Sequence, residues 1–311
     1  VQIMNLLKKL VIACVIIFSS LSVSSANSAQ LKSIEIFNVS SLQNDYFINM
    51  AKYAEEQMAS LAANTIVIVY PIGRFLTGEN PKNNSTSFRG ASHEVVLTET
   101  QVNKINLRVS NFLQKASCLS AKDKKRISMD IDWWLRNGGA SQLQDPICKK
   151  NRLVMISIDP DRKRDKRDLS RVFFHELYHS FQHDLNDNCR GPNDLWVIEA
   201  GAEYFAQHSI AAYGGKPENF INDLLKFVLW HARMLGTKLK DPGVAEKGLG
   251  ALRLMIQKGW LDESRILNGS FFHKCARVEE FKNSNPHVQY IKKNWHKIEK
   301  VNGAYTFNLP K

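Results

Sequence analysis

The chain has 311 residues, 44% of them hydrophobic and 23% charged, with a formal net charge of +12 at pH 7. These proportions exclude collagen-like, low-complexity and wholly disordered chains. The single long apolar run lies at the N-terminus, which excludes a multi-span membrane protein.

Residues 1–29 hold Lys8 and Lys9 and no acidic side chain, then the apolar run Leu10 to Phe18, then a Ser/Ala-rich stretch from Ser19 to Ala29. This order is that of a secretory signal peptide, with cleavage after Ala26 or Ala29. A retained membrane anchor is the competing reading, but the run is shorter than the ~20 residues a bilayer needs. Val11 to Cys14 resembles a lipoprotein box, yet most of the apolar run follows Cys14, where such a box would already have ended it. The expected location is therefore secreted or periplasmic, with no transmembrane span once the signal is removed. Removal takes away two lysines and leaves a net charge of +10. The basic residues are spread along the chain without a nucleic-acid-binding motif, so no specific nucleic acid partner is expected. Four cysteines remain, Cys118, Cys148, Cys189 and Cys275. An even number in an exported chain points to disulfides. Of the three connectivities, nearest-neighbour pairing (Cys118–Cys148 and Cys189–Cys275) is the expectation; no CxxC spacing supports a cysteine metal site.

Residues 33–38 alternate as a strand does, and residues 43–63 place Phe47, Met50, Ala54, Met58 and Leu61 at helical spacing. Thr65 to Tyr70 is a β-branched run stopped by Pro71 and reads as a buried strand. Residues 77–92, rich in Gly, Asn, Ser and Thr, read as a loop. Residues 98–117 and 121–136 are helical in pattern, the second ended by Gly138-Gly139. Leu153 to Ile158 is another strand, ended by Asp159-Pro160. Residues 161–171 carry six basic and three acidic side chains and read as a solvated loop leading into a helix, with Asp168 as its N-cap. Helical patterns dominate from there to about residue 300. The expected organisation is a signal peptide (1–29), an α+β domain (30–212) and a mainly helical C-terminal subdomain (213–311).

The helix after that charged run contains His175-Glu176-Leu177-Tyr178-His179, an HExxH sequence in nearly all-round apolar surroundings. Residues four apart on a helix differ by about 40° around the axis and ~6 Å along it. The two imidazoles therefore point the same way and can share one Zn²⁺. Glu176 is turned about 100° from His175, placing it to act as general base toward a zinc-bound water. A second helix follows, Leu195-Trp196-Val197-Ile198-Glu199-Ala200-Gly201-Ala202-Glu203-Tyr204-Phe205. Glu199 can supply a third ligand, and Glu203, one turn on, can accept a hydrogen bond from a ligand histidine and fix its tautomer. Ala200, Gly201 and Ala202 allow that helix to pack closely on the first.

HELYH followed by WVIEAGAEYF resembles the gluzincin metallopeptidases of the thermolysin-like clan, over about residues 168–209. The Glu-Ala-Gly-Ala-Glu-Tyr form is closer to the small, peptidase-MA-like members than to thermolysin, which carries Asp at the position of Glu203. The resemblance implies a zincin-like core, one zinc held by His175, His179 and Glu199, Glu176 as catalytic base, and a peptide or protein substrate. It also implies that an extended substrate pairs along the strand Leu153 to Ile158. An oxyanion donor is expected downstream, with Tyr204, Tyr213 and His231 as candidates. His183 is the rival third ligand, as in the metzincin HExxHxxGxxH pattern; without the glycine the helix continues and sets His183 ~12 Å along the axis from His175, beyond one ion with ~2 Å bonds. Two other functions compete with an exported zinc peptidase: a catalytically inactive binding protein on the same fold, and a structural envelope protein in which HExxH is accidental.

Overall fold

The β-branched run at 65–70 becomes the middle of a five-stranded sheet. The computed structural model describes residues 28–30, 34–58, 64–71, 97–136, 142–147, 151–158, 166–184, 195–240, 242–275 and 284–309. The sheet is built from β1 (Ser28–Gln30), β2 (Ile34–Asn38), β3 (Asn64–Pro71), β4 (Gln142–Ile147) and β5 (Asn151–Ile158) in the order β1-β2-β3-β5-β4. β2, β3 and β5 run parallel, with Ile36 opposite Val67 and Val67 opposite Val154. β1 and β4 pair antiparallel at the two edges. The chain is thus α+β with a small mixed sheet.

Helices cover both faces of that sheet, which is why β3 shows no apolar–polar alternation. On one face Ile66, Ile68, Tyr70, Leu153 and Met155 pack with α2 (Glu99–Gln114) and α3 (Ala121–Arg136). Thr98 starts α2 with a reciprocal cap: its Oγ1 accepts from the Gln101 amide, and its own amide donates to Gln101 Oε1 at 2.9 Å. On the other face Val67, Val69, Val154 and Ile156 join a cluster that runs from Ile34 to Phe307 and takes residues from both sides of Tyr213. This cluster holds α1 (Asn44–Gln57), α4 (Lys166–Asp184), α5 (Leu195–Tyr213), α6 (Phe220–Leu235) and α7 (Val244–Gln257), followed by α8 (Glu263–Leu267) and α9 (Pro286–Asn294). α4 lies against β4 and β5, α5 against α4, and α7 against α5. Among the described residues no helix is long and apolar enough to cross a membrane.

Several expectations change here. The strand expected to pair with substrate, β5, is internal, because β4 covers its outer side. The helical pattern expected to about residue 300 stops at Asn294, the end of α9, and the chain turns there to strand. It forms a hairpin of β6 (Ile298–Val301) and β7 (Ala304–Phe307) around Asn302-Gly303, both at positive φ (50° and 88°), as a two-residue type I′ turn requires. Asp168 lies inside the first turn of α4, two residues after its start, and so is not at the N-cap position. Cys118, between α2 and α3, is disulfide-bonded; the side chains of Cys148, Cys189 and Cys275 lie outside the described residues, as does the loop expected at 77–92.

α7 approaches α5 at Gly248, where a Cβ would stand 2.6 Å from the Trp196 carbonyl oxygen and 2.7 Å from Ala200 Cβ. Backbone cannot yield as a flexible side chain does, so a methyl group there forces the two helices apart. Gly248→Ala is expected to cost about 1–3 kcal/mol of folding stability. Urea unfolding of the purified variant measures this; an unchanged midpoint would show that the helices accommodate the methyl group.

Candidate metal centre

Two helices carry the site. α4 is apolar on most sides because it is buried on most sides: Val172, Phe173, Phe174, Leu177 and Tyr178 all belong to the core. Tyr178 is anchored through its hydroxyl, which donates to the Ile266 carbonyl at 2.5 Å. Several polar side chains on this helix are buried as well, His175, Glu176, His179 and Gln182 among them.

The spacing read from the sequence brings His175 Nε2 and His179 Nε2 to 3.0 Å from each other. From α5, Glu199 Oε2 comes to 3.4 Å from the first and 3.5 Å from the second. The partners of the other ring nitrogens define the tautomers. His175 Nδ1 stands 3.1 Å from Glu203 Oε2, and an ionised carboxylate only accepts. His179 Nδ1 stands 2.8 Å from Gln182 Oε1, and the amide is held that way round because Gln182 Nε2 donates to the Ile198 carbonyl at 2.9 Å. Both Nδ1 atoms therefore donate, and both Nε2 atoms turn bare lone pairs toward each other and toward a carboxylate oxygen.

Three acceptors this close repel unless a cation or proton lies among them. The surroundings of the His175 ring raise its proton affinity. Burial works against the charged ring, but its hydrogen bonds to Glu199 and Glu203, with the nearby charges of Glu203 and Glu176, outweigh that and push its pKa up to about 10. Burial acts on Glu199 in the opposite sense to its neighbours, and the hydrogen bonds and charges of the two histidines prevail, holding its carboxyl well below the usual range. A tetrahedral ion with bonds of about 2.0–2.1 Å spaces its ligand atoms by about 3.3 Å, close to the three separations found here. His175, His179 and Glu199 therefore have the donor chemistry and spacing to hold one metal ion.

Glu176 is buried beside this trio, and burial is the main reason its carboxyl is raised, partly offset by the two imidazoles. Glu203 is fully buried and stays ionised because Arg171, His175 and Gln207 outweigh the cost of burial. Arg171 Nη1 donates to Glu203 Oε2 at 2.9 Å, and its Nε and Nη2 reach Asp168 Oδ1 at 3.3 Å. Gln207 Nε2 donates to Glu203 Oε1 at 2.8 Å. Arg171 thus leaves the solvated charge run to which its sequence position assigns it. Arg171, Gln182 and Gln207 are the residues that sequence reading passes over, although each stands three or four positions from a site residue on the same helix (His175, His179 and Glu203) and spacing alone could have flagged them.

α4 is still helical at His183 and ends at Asp184, without the turn after His179 that a third histidine ligand needs. The candidate oxyanion donors have these surroundings. The Tyr204 hydroxyl donates to Glu263 Oε1 at 2.5 Å, Tyr213 packs edge-on against Tyr53 and Phe174, and His231 Nδ1 pairs with the Phe227 carbonyl at 2.9 Å. No family model matches the chain, and neither a curated protein sequence nor a solved structure does.

Proposed function

We propose that this chain is an exported zinc-dependent peptidase of the gluzincin type. The observation that carries the reading is the convergence of His175 Nε2, His179 Nε2 and Glu199 Oε2 within 3.0–3.5 Å, with Glu203 behind His175. Two imidazoles and one carboxylate are the donor set of catalytic zinc sites that keep a position open. An α+β core whose HExxH helix lies under a mixed sheet, with a glutamate on the next helix, is consistent with a zincin-like architecture.

A zinc ion held by these residues supplies a Lewis acid and a water acidified toward neutral pH. Glu176 takes a proton at its carboxylate and passes it on to the leaving amine. Its burial raises its proton affinity, the direction a base working near neutral pH requires. Glu203, kept anionic by Arg171, holds the His175 ring with Nε2 facing inward. β4, next to α4, is the outermost strand on that side among the described residues, and an extended peptide would pair along it. The signal-like N-terminal segment supports export, and cleavage after Ala26 is the alternative that leaves β1 (Ser28–Gln30) in the sheet.

The test is metal content and casein hydrolysis of the purified protein. One zinc per chain is expected, with hydrolysis abolished by phenanthroline and restored by added zinc. Protein that takes up no metal would refute the metal site; zinc-loaded protein that cleaves neither casein nor a peptide library would refute the peptidase and leave a binding protein.

A further inference from the structure

The two histidines of the trio are backed by different chemistry. Behind His175 stands a carboxylate, Glu203, neutralised by Arg171. Behind His179 stands a neutral amide, Gln182, only 5% exposed. Both ends of that amide are in use, and in directions that cannot be exchanged. The Ile198 carbonyl can only accept, so Nε2 must face it, which leaves Oε1 to receive the Nδ1–H of His179. Ile198 is the residue before Glu199. α5 is bare of side chain where the amide lies: a Cβ on Gly201 would come within 3.1 Å of Gln182 Nε2.

We infer that Gln182 is a positioning residue for the metal centre: one side chain sets the tautomer and tilt of the His179 ring and ties that ring to the backbone beside Glu199. Ligands borne by two separate helices are thereby registered to each other. The amide orients His179 without adding charge, whereas a carboxylate in its place would also increase the negative charge of the pocket. This inference rests on the trio being a metal site.

The experiment compares Zn²⁺ affinity, by competition with a chromophoric chelator, in the full-length protein and three variants. Co²⁺ absorption in the visible range serves as a record of ligand geometry. Gln182→Leu and Gln182→Met remove both hydrogen bonds; the unbranched Met fills the space of Gln if Leu fails to fold, as judged by circular dichroism. Each is expected to bind Zn²⁺ about 10–100-fold more weakly and to show altered Co²⁺ bands. Gln182→Glu keeps an acceptor for His179 Nδ1 but loses the donor to the Ile198 carbonyl, and is expected to bind Zn²⁺ more tightly than the Leu and Met variants and more weakly than wild type. Leu and Met variants that match wild type would overturn the inference. So would a Glu variant no tighter than Leu, since the acceptor for His179 Nδ1, the one bond the Glu variant keeps, would then contribute nothing to the site. Wild-type protein that binds no Zn²⁺ sinks the proposed function itself, so the two failures are told apart.

Discussion

Glu176→Gln is expected to keep about one zinc per chain while peptide hydrolysis falls by about 10²–10⁴-fold. The carboxylate belongs to none of the three converging ligand atoms, so the donor set survives its loss. Glutamine keeps the length of the side chain and some hydrogen-bonding capacity, but it cannot take a proton at neutral pH. Folding should not suffer, since a neutral amide replaces a carboxyl that burial already disfavours in its charged form. Zinc analysis and casein hydrolysis on the same preparation separate the outcomes. Full activity would remove Glu176 from the chemistry; loss of zinc together with activity would make it a ligand.

Alanine at His175, His179 or Glu199 should behave differently, removing zinc and activity together. Each replacement leaves two of three protein ligands, too few to complete a tetrahedral site. Zinc content after dialysis is expected to fall from about one per chain to near zero. His175→Ala also leaves Glu203 buried with Arg171 and Gln207 as its remaining partners, so that pocket retains its counter-charge and the variant should still fold. His183→Ala serves as the internal control and should retain zinc, because the helix continues past residue 183. If His183→Ala abolished zinc while Glu199→Ala did not, the ligand set would be three histidines and the gluzincin reading would be wrong.

What could be read in the sequence is what short-range periodicity encodes. The 3.6-residue repeat of α4 puts His175 and His179 on one face whatever the helix packs against, and apolar spacing marks α2, α3 and the buried strands β3 and β5 to within a few residues. Glu199 and Glu203 could be named as partners because they lie one turn apart on a helix with small residues between them.

The rest depended on backbone pairing and on contacts between distant segments. β4, Gln142-Leu143-Gln144-Asp145-Pro146-Ile147, has no strand-like alternation and contains a proline that an edge strand tolerates; it is a strand because β5 offers it a ladder. Among the described residues, that pairing moves the sheet edge from β5 to β4. The Asn302-Gly303 turn was a usable local signal just beyond the stretch that reads as helical, which ends at about residue 300. Arg171 looks like one more charge in a basic run until α5 brings Glu203, 32 residues on, against it. Gln182 acquires a role only when the Ile198 carbonyl and the His179 ring arrive at opposite ends of its amide. A helix repeat determines which residues share a face, but a buried polar side chain finds its partners only when the core closes around it, since the cost of leaving it unpaired is incurred only once water is gone.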